Sequence, residues 1–545
     1  MIIYFRNHWY HVIRTPGKVR IAYIFLFYME GKYSMRKKMT SKLLSVAVAA
    51  AMTMGLAACG NTETPAPAPA DNTTTDTTTD TTDTTTTDAT TDNTADATTD
   101  DAAGEEVSPY TIRTDADGNK VDLGGMKIVL KDWWSDPEAE PNNEYEQAQA
   151  DYREWAMETY NFEMVQSGDY GWGDCIEKLV EYAQAPATDE YFLFTVRPDP
   201  SLSAAFAKEQ VYDLSTLDCL DLSDTKYAQN NICDLCSFKG GIYGMSAGVS
   251  EPRDGFFFNK KLLEDGGHSA DEIYDMQKNG TWTWDAFEDI CKDVAKDNDN
   301  DSVNDIWAWS GNTGSFVTDM IFSNGGAIVG SDASGYTYMV EDPKTVAALE
   351  KANDLIRDYR MKDPQVENAE TGELENAPWD YFYTAFKNGD CVFMYDGAYA
   401  GYPNGQIGDI EDFEIGFVMC PKGPDGELVT SRGNNPVCIP ANYDAETAWK
   451  IAFAFDIWTE DPAGYEGYNG FISNCRSGIY DERACDETIP LMASVGHGFV
   501  NYAGMVPELD VNNGFIWSIN GEAAISELID SKREYFQTTI DAANQ

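Results

Sequence analysis

Apolar positions in the first folded stretch of the chain repeat with two periods in turn. Residues 126–133 (MKIVLKDW) form a short apolar run that predicts a strand, and 143–160 reads as a helix. Residues 161–166 (NFEMVQ) predict a second strand, 174–183 a helix, and 190–196 (EYFLFTV) a third strand. Strands alternating with helices predict βαβ units and a mainly parallel sheet. Ligands of open α/β sheets gather beyond the carboxyl ends of the strands. That rule nominates Trp133, Trp134 and the turn Arg197-Pro198-Asp199. Further along, Trp284, Phe287, Cys291, Val294 and Ala295 follow helical spacing, and 344–359 places Val346, Leu349, Ala352, Leu355, Ile356 and Tyr359 on one helix face. A buried helix is predicted around 446–458, and Trp282, Trp284, Trp449 and Trp458 are expected in the core.

The amino-terminal hundred residues have another character. Arg36, Lys37, Lys38 and Lys42 precede a short apolar stretch that ends at Cys59, so 35–58 reads as a secretory signal. The run Leu56-Ala57-Ala58-Cys59-Gly60 resembles the bacterial lipobox. The resemblance implies cleavage before Cys59 and its acylation with fatty acid such as palmitate. Residues 1–34 are expected to be an upstream extension, with translation starting at Met35. Residues 60–106 hold 19 Thr and 12 acidic side chains with no Lys or Arg. Such a segment buries too little surface to offset its ordering entropy, so a disordered tether is predicted over 59–106.

Charge then excludes several partners. Of 545 residues, 43% are apolar and 12% aromatic, enough for large packed cores. Residues 59–545 keep 29 basic against 91 acidic side chains, a formal excess of 62 negative charges. A nucleic-acid partner is excluded because phosphate backbones need a compensating basic face. Adsorption to anionic lipid is disfavoured too, which leaves the acyl chain as the membrane contact.

Six stretches carry a specific resemblance: GIYGMS at 241–246, FFFNKKLL at 256–263, NGTWTWDAF at 279–287, SNGGAIV at 323–329, AFKNGDCVFM at 385–394 and IGFVMCPKGPDG at 415–426. In this order the sequence resembles the family 1 extracellular solute-binding proteins of bacterial ABC sugar importers. The resemblance implies an α/β fold, a two-lobed periplasmic-binding-protein-like (type II) clamshell of mixed, mainly parallel sheets with a hinge of crossing strands. The expected lobes are 107–247 with 440–480, and 248–439 with 481–545. The implied role is a lipid-anchored, extracytoplasmic, monomeric receptor that passes a sugar or oligosaccharide to importer permease subunits, without catalysis or an ATP site of its own. A surface glycan-binding lipoprotein without a transporter and a surface glycosidase built on paired carboxylates are the alternatives.

A sugar presents hydroxyl edges and apolar C–H faces, so its site needs flat aromatic platforms and planar polar groups. Besides Trp133, Trp134 and Arg197, the resemblance places Tyr399 where relatives carry a stacking aromatic, and Trp517 in a late segment near the ligand. Asp396 is expected to accept sugar hydroxyls, and Arg432, Asn434 and Asn435 lie on the loop before the second hinge crossing. No cofactor is expected apart from a structural calcium ion. Its ligands would be Asp297, Asp299, Asp301, the Val303 carbonyl and Asp305, although Ser302 and Ala308 depart from the EF-hand pattern. Cys475 and Cys485, in a polar stretch, are the expected disulfide if one forms; Cys233-x-x-Cys236 lacks the second pair of a zinc site.

Overall fold

The computed structural model describes residues 2–5, 8–11 and 109–545, apart from 116, 187, 189, 369–371 and 432–433. The chain divides into two units, 1–103 and 104–545. In the first, Ile2–Phe5 pairs antiparallel with His8–His11. The expected signal segment, Cys59, the tether and Arg432 lie outside the described residues.

The second unit holds two four-stranded sheets. Its sheet strands are β1 (Met126–Asp132), β2 (Phe162–Gly168), β3 (Tyr191–Thr195), β4 (Asp254–Asn259), β5 (Trp307–Gly311), β6 (Cys391–Gly397), β7 (Ile415–Met419) and β8 (Val437–Cys438). Its principal helices are α1 (Glu144–Tyr160), α2 (Cys175–Ala183), α3 (Pro200–Ala207), α4 (Trp284–Val294), α5 (Thr313–Ser323), α6 (Pro343–Tyr359), α7 (Ala445–Trp458), α8 (Gly470–Ser477) and α9 (Ile525–Ala543). The first sheet runs β8-β3-β1-β2, with β1 parallel to β2 and β3 and with β8 antiparallel. The second runs β7-β4-β6-β5, where β5 and β6 are parallel and β4 runs against both of its neighbours.

Two lobes follow from the cores. Ile128, Leu130, Phe162, Met164 and Leu193 pack with Ile451, Phe455 and Trp458 of α7, so a helix late in sequence closes the first sheet. Phe256, Phe257, Phe258, Phe393 and Phe417 pack with the α4 and α6 faces and with Cys475, Tyr480 and Phe536. Every residue of β6 and β7 is buried, as strands covered on both faces require. Trp282 and Trp284 are buried, as expected, and Trp282 Nε1 donates to the Met419 carbonyl at 2.8 Å.

Two extended segments join the lobes. Met245 and Val437 exchange backbone hydrogen bonds of 3.1 and 2.8 Å as an antiparallel bridge. Beyond it the chain enters β4 at Asp254, and in the other direction it leaves the second lobe at Thr430–Ser431. Asn434 staples the crossing: its Oδ1 accepts the Glu251 N–H at 2.6 Å, and its Nδ2 donates to Ser246 Oγ at 3.1 Å and the Val249 carbonyl at 3.2 Å.

Candidate functional site

The carboxyl end of the first sheet is built to present aromatic rings. Asp132, buried at the end of β1, accepts the Trp134 N–H at 3.0 Å, the Ser135 N–H at 2.8 Å, the Ser135 hydroxyl at 2.6 Å and Gln166 Nε2 at 2.7 Å. One carboxylate thus folds the turn that carries Trp133 and Trp134. Gly168 lets that turn approach β2: a Cβ there would lie 2.8 Å from the Ser135 carbonyl oxygen. Trp133 is half-buried and meets Trp134 edge-on with ring centroids 4.8 Å apart. Trp134 itself is 54% exposed.

The neighbouring loop brings a third indole. The Tyr170 hydroxyl is shared between carbonyls near the ends of two strands, Lys131 at 2.7 Å and Thr195 at 2.8 Å, and so fixes the start of the loop after β2. Trp172 follows, 56% exposed. Arg197 holds it: Nη1 donates to the carbonyls of Trp172 at 2.5 Å and Gly173 at 2.9 Å, the guanidinium lies 4.5 Å from the Trp172 ring centroid, and Nε pairs with Asp199. Asp199 is in turn the N-cap of α3. Trp172 was not singled out in the sequence, although it follows a predicted strand just as Trp133 does.

The carboxyl end of the second sheet is acidic. Register places Gly397 opposite Asp254, and Asp396 opposite Gly255. Asp396 is 1% exposed and accepts the Tyr383 hydroxyl. Burial, with Asp254 adding to it, pushes the Asp396 carboxyl up to about 7. Burial also raises Asp254 and Glu251, against the opposing pull of Arg253, and lifts Asp319 well above the carboxylate range. Arg253 pairs with Glu251 at 2.9 Å and lies 6.0 Å from the Tyr399 ring centroid. Burial works against the Arg253 charge, yet Glu251 keeps its pKa raised. Glu251, Arg253, Asp254 and Tyr399 each keep some surface open to water. Trp517, 57% exposed, sets its indole against the first turn of α5 at Gly314, next to the Asn312 N-cap.

Both edges abut the same hinge. On the first lobe Val196 donates to the Pro436 carbonyl at 2.8 Å; on the second, Ala398 donates to the Arg253 carbonyl at 3.1 Å. The segment after 498 ties the lobes again, with Phe499 stacked on Phe322 of the second core and Met505 buried in a separate cluster of the first lobe with Phe194, Leu202 and Phe206. Of the nominated residues, Trp133, Trp134 and Arg197 therefore share one edge, and Asp396, Tyr399 and Trp517 share the other. Asn434 spends its amide on the hinge, and Asn435 is half-buried beside it. Arg253, Asp254 and Tyr383 join the acidic edge without having been nominated.

This arrangement has relatives. The family model described as "Bacterial extracellular solute-binding protein" matches residues 150–466, more than half of the chain. The chain belongs to that family. The solute-binding protein also resembles solved structures at low identity. An ABC substrate-binding protein from Listeria monocytogenes, in complex with cycloalternan, matches with a TM-score of 0.51 and 16% identity, over 76% of this chain and 99% of that one. UgpB from Mycobacterium tuberculosis, in complex with glycerophosphocholine, matches with a TM-score of 0.51 and 16% identity, over 77% and 100%. These likenesses show the two-lobed α/β fold. No curated protein matches the chain in sequence.

Away from the hinge, Asp297, Asp299 and Asp305 bring carboxylate oxygens within 4.8 Å of one another. Asp301 is outside that group; its Oδ1 accepts the Val303 N–H at 2.8 Å. The loop's own N–H groups also bond Asp297, from Asn300 at 2.7 Å and Ser302 at 2.9 Å. An open depression of about 360 Å³ on the second lobe is lined by Lys278, Lys422, Glu427 and Glu487, whose charges pair across it at 3.3 Å (Lys422–Glu427) and 3.7 Å (Lys278–Glu487). Among the described residues, no helix is long and apolar enough to cross a membrane.

Proposed function

We propose that this solute-binding protein is a lipid-anchored, non-catalytic receptor that captures a sugar or oligosaccharide at the hinge and delivers it to an ABC importer. The observation that carries the reading is the pairing of chemistries at the two carboxyl edges. Trp133, Trp134 and Trp172 offer ring faces to sugar C–H surfaces, and Glu251, Arg253 and Asp254 offer planar hydrogen-bonding groups, whereas Asp396 is enclosed and spends its carboxylate on the Tyr383 hydroxyl. A solute that touches both edges favours the closed arrangement of the lobes, because only that arrangement supplies both sets of contacts. The Listeria neighbour's oligosaccharide ligand supports this class of solute. Cys59 supplies the anchor, permease subunits the partner and a monomer the working form. A calcium ion held by Asp297, Asp299 and Asp305 belongs to the same reading as a structural element of the second lobe.

The test is a thermal-shift and tryptophan-fluorescence screen of the full chain against maltotetraose, cyclic glucans, amino sugars and glycerophosphocholine. A saturable shift with a saccharide is the expected result, reduced at least tenfold in affinity by Trp172→Ala. Silence from every saccharide and from glycerophosphocholine in both signals overturns the reading. A shift from glycerophosphocholine alone replaces the substrate class and leaves the receptor role standing.

A further inference from the structure

The stretch around residue 500 leaves the second lobe and returns to it. Ile489 and Met492 before it, and Val506, Leu509 and Phe515 after it, are buried in the second core. Between them Gly498 and Phe499 pair in parallel with Thr430 and Ser431, where the chain leaves that lobe for the hinge, and a single 3-10 turn follows at Tyr502–Met505. Asn501 caps the turn by accepting the Ala503 N–H at 3.1 Å. The side chains of the turn divide between the lobes. Ala503 is buried in the second core, and Met505, 4% exposed, is buried with Phe194, Val196 and Leu202 of the first lobe. Tyr502 packs against both clusters and meets Tyr336 of the second lobe with ring centroids 6.2 Å apart.

Its seat on the first lobe is the backbone that supports Trp172. The 3-10 turn packs against α3, whose N-cap is Asp199. Gly504 meets main chain there: a Cβ at 504 would lie 2.7 Å from the Pro198 carbonyl oxygen and 3.5 Å from Asp199 Cα. Glycine alone permits that approach. On either side of Pro198, Arg197 holds the Trp172 carbonyl and ring, and Asp199 pairs with Arg197. The contact differs in kind from the crossings near Met245 and Val437. There the chain itself passes between the lobes and stays joined however they swing. The stretch from Gly498 to Val506 begins and ends in one lobe, so its grip on the other is packing alone and is released without unfolding either core. A methionine suits such a grip, because its unbranched thioether refits an altered pocket.

We infer that the Tyr502–Met505 turn is a clasp that sets the balance between open and closed lobes by gripping the first lobe at Arg197-Pro198-Asp199. Gly504 and Met505 are then positioning residues for Trp172. The seat lies at the carboxyl edge of the first sheet, so engagement draws that edge toward the second lobe and orders the support of Trp172 before a solute arrives. A solute resting on Trp172 steadies Arg197 and the seat beside it, which favours engagement in turn; linkage makes the two couplings equal. The grip stands on the packing between the lobes, and its coupling to solute rests on the receptor reading.

The test reads lobe separation in the full chain with no solute present. Nitroxides are clicked onto azidophenylalanine at Glu181 of α2 and at Glu264 in the second lobe's helix Lys260–Asp265, both exposed, and the distance between them is measured by double electron–electron resonance. Met505→Ala empties the seat, and Gly504→Val forces the turn off Pro198 without removing a core side chain. Each is expected to move population from a shorter to a longer distance. Distributions that match the parent protein's in both variants overturn the clasp, whatever happens to the melting temperature, and so does a move to shorter distances. The coupling is read by titrating maltotetraose and glycerophosphocholine in tryptophan fluorescence. Whichever binds the parent should bind each variant about fivefold or more weakly, and by one common factor if both bind, because the clasp touches neither. Unchanged affinity, or a factor that differs between the two, overturns the coupling. If neither binds the parent, the coupling falls with the receptor reading, and the distance measurement decides the clasp by itself.

Discussion

Replacing Asp396 with Asn tests the acidic edge directly. Asp396 is fully enclosed between Tyr383, Asn312 and the Asp254 side, and its carboxyl is pushed up to about 7 from an ordinary 3.8. In the window between those values the folded protein holds a proton that the unfolded chain has released. Stability therefore falls as pH rises through the window, at up to about 1.4 kcal/mol per pH unit. Over the roughly three units spanned, ionising this one group costs the native state about 4 kcal/mol. Below the unfolded value the contribution is intact; above about 7 it is fully lost. Asp254, Glu251 and Asp319 are raised as well and act with the same sign. Asp396→Asn keeps the shape and the carbonyl that accepts from Tyr383, and removes the titration. Urea unfolding of the full chain at pH 4, 5, 6, 7 and 8, followed by tryptophan fluorescence, gives the difference between variant and native protein. That difference should move in the variant's favour up to pH 7, by about 4 kcal/mol in all, and then level off. A difference that is constant with pH, or one that moves against the variant as pH rises, refutes the reasoning.

Asn434→Ala strips the hinge of three hydrogen bonds and leaves the Glu251 N–H without its acceptor; a loss of about 2–3 kcal/mol is expected in denaturant unfolding, with weaker solute binding. Asp456 is buried among Lys226 at 3.0 Å, Arg113 and the Tyr227 hydroxyl at 2.6 Å; burial works to raise its pKa, but the two cations hold it lowered. Its contribution is present at neutral pH and lost as pH falls through the lowered value, so Asp456→Asn should cost about 3 kcal/mol at pH 7 and little near pH 2, read by unfolding at both. Calcium at millimolar concentration should raise the melting temperature of the native protein over a chelator-treated sample, and Asp297→Asn/Asp305→Asn should abolish the rise; identical melting with and without calcium removes that site.

The alternation of β1, α1, β2, α2 and β3 was written in local sequence, because period-two and helical apolar spacing depend only on neighbours a few residues away. For the same reason the turn after β1 announced Trp133 and Trp134, and the apolar faces of α4 and α6 announced themselves as core. Sequence motifs also carried the family, since six stretches keep their order along the chain. Trp172 obeys the same strand-end rule, in the loop after β2. The acidic edge had no local signal at all. Asp254, Asp319 and Asp396 are far apart in the chain, and they meet only because β4 runs antiparallel beside β6 with Gly397 opposite Asp254 while α5 packs across both. Asn434 looked like a loop residue suited to a solute, and tertiary structure turned its amide inward onto the hinge. The sequence by itself determined which elements form, their order and the aromatic and acidic wealth available. Only the tertiary structure decided which side chains share an edge, because strand register and the crossing of Met245 with Val437 are long-range pairings whose free energy comes from burial and is not encoded in any short window.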